Sequence, residues 1–252
     1  MTRPPKPSRK TVRNPSTGLR FKAFLLAAAI GGGMMGGLWA MAPGPIPVAQ
    51  AAETAVPAPV PKIDTVPGRK LETAVFAGGC YWGVEGTFSH VKGVKLAVSG
   101  FAGGPRSMMV DYDRVSEGDT GYAEAVRVTY DPAQVSYGTL LRIFFSVIAD
   151  PTTLNYQTPD HGTQYRSALF PLNAEQAKVA TPYLAQLGQA KLWSDPIVTK
   201  VERFTGFQDG PGYHQNFMRR NPMHPYILRW DARKVEALKT MFPQYYTASF
   251  SA

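Results

Sequence analysis

A chain of 252 residues, 44% hydrophobic and 12% aromatic, is long enough to bury a core of its own, and its single cysteine excludes an intramolecular disulfide framework. The formal charge of +9 sits at one end: the first 51 residues hold Arg3, Lys6, Arg9, Lys10, Arg13, Arg20 and Lys22 and no acid, leaving 20 basic against 18 acidic residues and a net +2 for the remainder. With no aromatic platform or RNA-binding signature beside those seven charges, the basic balance describes a targeting segment rather than a nucleic-acid-binding arm.

The basic cluster precedes an uncharged run from Ala23 to Ala52 that includes AFLLAAAIGGGMMGGLWAMA and ends in the small residues Ala49-Gln50-Ala51. A basic region, an apolar region and a small-residue cleavage site, in that order, make residues 1–51 a secretory signal peptide. The alternative is an uncleaved membrane anchor through residues 23–43, since the run approaches the roughly 20 residues a bilayer needs. In either case positive charge ahead of the apolar run places the folded part outside the cytoplasm, periplasmic, secreted or membrane-anchored. Residues 52–70, with ETAVPAPVPKIDTVPG, lack an apolar period and read as a Pro/Ala-rich flexible tether. One domain is expected over residues 71–246, followed by a tail at 247–252.

Within the domain, LETAVFAGG reads as a buried strand ending in glycines and Trp82–Val91 has helical spacing, which puts Cys80 where a strand turns into a helix. KLAVSGFAGG reads as a second strand, SMMVDYDRVSEGDTGY as a long loop, and AEAVRVTYDP as a strand stopped by Asp131-Pro132. Tyr137–Ile148 carries Leu140, Leu141, Phe144, Phe145 and Ile148 at helical intervals before Asp150-Pro151. QYRSALFPL is a short strand, Asn173–Leu192 an Ala/Gln-rich helix, PIVTKVERF a strand, and Gly210–Tyr246 a mixture of short helices and loops. Strands alternating with helices, without a nucleotide-binding loop or an internal repeat, indicate an α/β sandwich.

A thiol at a helix start meets the positive end of the backbone dipole and free N–H groups, which lower its pKa, and Gly78 and Gly79 leave the sulfur accessible. On these residues alone a buried structural cysteine stays open, because aromatics such as Tyr81 and Trp82 in a first helical turn are most often core residues.

GGCYWGVEGTF resembles the Gly-Cys-Phe-Trp-Gly signature of the A-type methionine sulfoxide reductases. GFAGG at 100–104, EGDTGYAEAVRVTYDP at 117–132, DHGTQYRSALFPL at 160–172 and YHQNF at 213–217 resemble that family's further segments in the same order, over about Thr73 to Tyr226. The resemblance implies a two-layer α/β (α+β) sandwich with a mixed, ferredoxin-like sheet. It also implies reduction of methionine-S-sulfoxide, free or in oxidised proteins, with no bound cofactor and no metal. By the same resemblance Cys80 attacks the sulfoxide sulfur and becomes a sulfenic acid, while Glu124 protonates the oxygen. Tyr112 and Tyr165 hydrogen-bond that oxygen, Tyr81 and Trp82 wall the terminal methyl, and Asp160 sits near the pocket.

Several residues depart from the family pattern. Tyr81 stands at a usual phenylalanine, Tyr122 at a common histidine, Ala149 at the histidine of HDP, and DGPGYHQNF lacks an acidic pair, although His214 is retained. No second cysteine is present to capture the sulfenic acid, Ser116 occupying the loop, so reset falls to an external thiol: a small thiol or an exported thioredoxin-like protein. The expected partners are that reductant and methionine-sulfoxide-containing proteins or peptides, acting on a monomer. Two rivals from other classes are a hydrolase pairing Cys80 with His214 and a non-catalytic envelope binding module that keeps the motifs only as fold determinants.

Overall fold

In the computed structural model residues 55–66, 68 and 70–251 are described, so the expected signal peptide or anchor lies outside the described residues. Among the described residues no helix is long and apolar enough to cross a membrane.

The chain runs β1 (Glu72–Gly78), α1 (Tyr81–Ser89), β2 (Val94–Ala102), α2 (Tyr112–Ser116), β3 (Ala123–Tyr130) and α3 (Tyr137–Ile143), which continues as a π-helix over Phe144–Ile148. There follow β4 (Tyr156–Gln157), β5 (Asp160–His161), a 3-10 turn (Thr163–Tyr165), β6 (Ser167–Phe170), α4 (Ala174–Ala190), β7 (Lys200–Val201) and β8 (Phe207–Asp209). The chain closes with α5 (Phe217–Arg220), a π-helical turn (Ile227–Asp231) and α6 (Ala232–Met241). The main sheet has the order β7-β6-β1-β3-β2-β8 and is mixed: every neighbouring pair is antiparallel except β6 with β7.

Alternation along the strands divides two apolar layers. Ala74 and Phe76 of β1 and Val126, Val128 and Tyr130 of β3 enter the larger core with Phe88, Leu140, Phe144, Val179 and Leu238 from the helices. Val75, Ala77, Ala123, Ala125 and Ala168 face the other side, where mostly small residues allow close cover by Phe170, Leu172, Phe204 and Phe207. Glu124 falls between Ala123 and Ala125 and therefore points to the helical face.

Helix ends are set locally. Ser136 caps α3 by accepting the Thr139 N–H at 3.1 Å, and Asn173 caps α4 by accepting the Gln176 N–H at 2.9 Å. Residues 55–66, within the stretch read as a tether, form no helix or strand but lie on the domain. Ser146 accepts the Val56 N–H on its carbonyl at 2.9 Å and the Ala58 N–H on its hydroxyl at 3.0 Å, Tyr183 donates to the Pro59 carbonyl at 2.7 Å, and Asp64 accepts the Gly138 N–H at 2.7 Å.

Three departures from the sequence reading have local causes. The expected loop at 107–122 contains α2, started by Asp111 accepting the Arg114 N–H at 2.9 Å. PIVTKVERF contributes only Lys200–Val201 to the sheet, because the Val198 and Thr199 N–H groups both donate to the Pro151 carbonyl. The β4–β5 hairpin and β8 escape a periodicity reading because two or three residues carry no alternation.

Candidate active site

The turn that presents Cys80 is made by its glycines for steric reasons as well as for access. Gly79 has φ +84, and a Cβ there would lie 2.5 Å from the Gln157 Cβ; at Gly78 it would lie 2.6 Å from the Phe144 ring. β4 and the π-helix therefore press on this corner from outside. Cys80 is the N-cap of α1, half-buried, and its side chain makes no capping bond.

The helix start does not lower the thiol pKa as the sequence reading expects. Burial, and then the carboxyls of Glu124, Asp231 and Asp160, push it well above the ordinary thiol value, and the Trp82 N–H offsets only part of this. The resting sulfur is a neutral thiol.

Glu124 projects from β3 beneath the first turn of α1, 3% exposed, and its Oε2 accepts the Tyr81 N–H at 3.0 Å. Burial lifts its pKa to about 8 against that hydrogen bond, with Asp160 and Asp231 adding to the rise. At neutral pH it is a protonated acid. Tyr112 opens α2 and Tyr165 ends the 3-10 turn. Burial first, then the nearby Glu124, raise both phenols above their ordinary pKa, so both are hydrogen-bond donors. The two elements are tied together: Gln164 Nε2 donates to the Ser116 carbonyl at 3.0 Å, and the Thr163 hydroxyl donates to the Gly118 carbonyl.

Tyr81 is buried at 1% exposure, its ring packed near Phe101. Its hydroxyl, the departure from phenylalanine, is 2.5 Å from His214 Nδ1. Trp82 is the more exposed member of the pair. It stacks on Phe217 with centroids 3.8 Å apart and meets Tyr226 edge-on at 5.7 Å, and its indole N–H is buried without a hydrogen-bond partner. His214 is a hub, packed against Tyr81, Trp82 and Tyr112, with its pKa lowered by burial and by Arg220. Its Nδ1 is committed to the Tyr81 hydroxyl. Asp160, on β5, receives a hydrogen bond from the Tyr226 hydroxyl; burial raises its pKa and that bond opposes the rise.

Three further groups escape the sequence reading. Tyr226 and Asp231 come from the irregular C-terminal segment, where no period marks them; Asp231 is buried beside Gly83, where a Cβ would sit 2.2 Å from its Oδ1. Glu85 lies on a buried face of α1 and its Oε2 accepts the Asn216 N–H at 2.9 Å. Burial lifts its pKa to about 7 against several hydrogen bonds. A glutamate inside an apolar helical stripe is the signal that would have found it. Among the described residues no group of three His, Cys, Asp or Glu is placed to hold a metal ion.

The fold brings a sulfur, a buried acid and two phenol donors within electrostatic reach of one another, with the rings of Trp82 and Tyr226 packed alongside. A family model described as peptide methionine sulfoxide reductase matches residues 72–245. The chain is 52% identical over 176 residues to peptide methionine sulfoxide reductase MsrA 2 of Mesorhizobium japonicum, covering 70% of this chain and 90% of that one. It is 46% identical to the MsrA of Deinococcus radiodurans, over 72% and 85% of the two chains. Among solved structures it is similar to methionine sulfoxide reductase A of Corynebacterium diphtheriae, with a TM-score of 0.53, 28% identity and coverage of 69% and 89%. Reduced Mxr1 from Saccharomyces cerevisiae gives a TM-score of 0.51 at 34% identity, over 65% and 92%.

Proposed function

Because the chain belongs to the peptide methionine sulfoxide reductase family, oxidoreductases that return methionine-(S)-sulfoxide to methionine, we propose that it does so through a sulfenic acid on Cys80. The observation that carries this assignment of roles is Glu124, a carboxyl kept protonated to about pH 8 and hydrogen-bonded to the amide that follows the only thiol.

The steps balance as follows. The sulfoxide oxygen accepts the Glu124 proton and hydrogen bonds from Tyr112 and Tyr165 while the Cys80 sulfur attacks the sulfoxide sulfur. The thiol proton passes to the Glu124 carboxylate, the methionine sulfur–oxygen bond breaks, and oxygen ends on Cys80 as a sulfenic acid. Sulfoxide sulfur gains two electrons and cysteine sulfur loses two. An external thiol then displaces water to form a mixed disulfide, and a second thiol releases Cys80.

The reductant is external because the chain has one cysteine. The N-terminal basic and apolar segments support an exported enzyme that repairs oxidised envelope or secreted proteins, reset by an exported thioredoxin-like protein or a small thiol. Trp82 and Phe217 support the apolar wall for the substrate methyl. Asp160, held by Tyr226, supports the polar side of the pocket.

The test is a single turnover without reductant. One equivalent of methionine-S-sulfoxide should release one methionine and leave a dimedone-reactive Cys80, and the R epimer should not react. Absence of released methionine would sink the proposal.

A further inference from the structure

Tyr122, at which the sequence departs from a common histidine, is the centre of a hydrogen-bonded knot that the reaction steps above do not use. Its hydroxyl lies 3.0 Å from both the Pro105 and the Met108 carbonyl oxygens and shares its one proton between them. The same oxygen accepts from Gln208 Nε2 at 2.5 Å. The other Gln208 N–H donates to the Met108 carbonyl at 2.8 Å, and Gln208 Oε1 accepts the Val110 N–H at 3.0 Å. Two side chains thus hold three points of the 105–110 segment. The ring also packs on Gly104, the residue that leads into that segment, where a Cβ would lie 2.1 Å from it.

The knot joins the segments that carry two reacting groups. Val110 is two residues ahead of Tyr112, and Asp111, the residue between them, caps the helix that Tyr112 opens. On the sheet side Gln208 is opposite Phe101 in β8–β2, and Phe101 is opposite Glu124 in β2–β3, so the three lie in one row across the sheet. Tyr122 is two residues before Glu124 and, by strand alternation, on the same face, where it joins the larger core. The segment that leads to the phenol is therefore fastened to the strand that carries the acid.

We propose that Tyr122 and Gln208 are positioning residues that fix the Tyr112 phenol relative to the Glu124 carboxyl. This rests on the reductase reading. Tyr112 stabilises negative charge that grows on oxygen only as the sulfur–oxygen bond breaks, so its displacement weakens the transition state more than substrate binding. Loosening the knot should lower kcat and leave KM near its wild-type value.

The experiment is a double-mutant cycle on the full reductase reaction with Tyr122→Phe, Gln208→Leu and Tyr112→Phe. Tyr122→Phe removes one hydroxyl and keeps the ring, and Gln208→Leu perturbs the same knot from β8 should the first variant fold poorly. Each is expected to reduce kcat by roughly 3- to 10-fold, the size of one or two hydrogen bonds. In a Tyr112→Phe background each should reduce it by less than about twofold, because the group being positioned is gone. Equal losses in both backgrounds, a loss confined to KM, or no loss of kcat would overturn the proposal. Inactive wild-type enzyme would instead overturn the reductase reading, before any variant is compared.

Discussion

Replacing Glu124 by Gln should sharply reduce activity and, above neutral pH, make the protein more stable. In the folded state burial raises the Glu124 carboxyl from an ordinary 4.5 to about 8. The folded protein therefore binds a proton that the unfolded chain releases between those values, and stability falls as pH rises through that window. At about 1.4 kcal/mol for each tenfold change in proton affinity, the full loss is about 5 kcal/mol above pH 9 and about 3 kcal/mol at pH 7. Glutamine keeps an acceptor for the Tyr81 N–H and cannot ionise, so the loss disappears. Denaturant unfolding of both proteins from pH 4 to 9 should show a gap that grows with pH by about these amounts. Activity should fall by about 10²- to 10⁴-fold, the usual worth of a general acid, and the wild-type rate should decline as pH passes about 8. Parallel stability profiles would mean that Glu124 is already ionised at neutral pH, and its role as proton donor would fail.

Other substitutions probe the surroundings. Gly79→Ala must force a side chain into a φ of +84 and against Gln157, so we expect a stability loss of about 1–3 kcal/mol in denaturant unfolding, with kcat reduced as the thiol moves. Tyr81→Phe leaves the buried His214 Nδ1 without its partner and should destabilise by about 1–3 kcal/mol; an unchanged unfolding midpoint would contradict that hydrogen bond. Glu85→Gln should preserve kcat, since the acceptor for Asn216 remains. It should also add stability as pH rises from 4.5 through about 7, because the raised carboxyl follows the same sign as Glu124.

The readable parts of the sequence were those with repetition or a dense local signal. β1, β2, β3, α1 and α4 each contain enough apolar residues at period 2 or 3.6 to announce themselves, and the two glycines before Cys80 mark its turn. What escaped depends on contacts between distant segments. Tyr226 meets Asp160 across 66 residues and Tyr122 meets Gln208 across 86, and no window of sequence contains both partners. The thiol was misread for the same reason. Its helix start is local and visible, but it is outweighed first by burial and then by three carboxyls from β3, β5 and the C-terminal π-helical turn. Tyr81 shows the same dependence: the hydroxyl that distinguishes it from the usual phenylalanine finds its partner in His214, 133 residues later.

The hydrogen bond from the Tyr81 N–H to Glu124 has a consequence for timing. That amide belongs to the first turn of α1, where the helix end carries partial positive charge, and here it is directed at the acid rather than at the sulfur. Before reaction the acid is neutral and gains little from it. In the proposed reaction, once the proton has gone to the sulfoxide oxygen, the carboxylate is negative until the thiol proton reaches it, and it sits on a fixed donor that needs no rearrangement. On that proposal the helix stabilises the conjugate base that the step creates, so the protein keeps its proton donor loaded at rest and still releases the proton as the sulfur attacks.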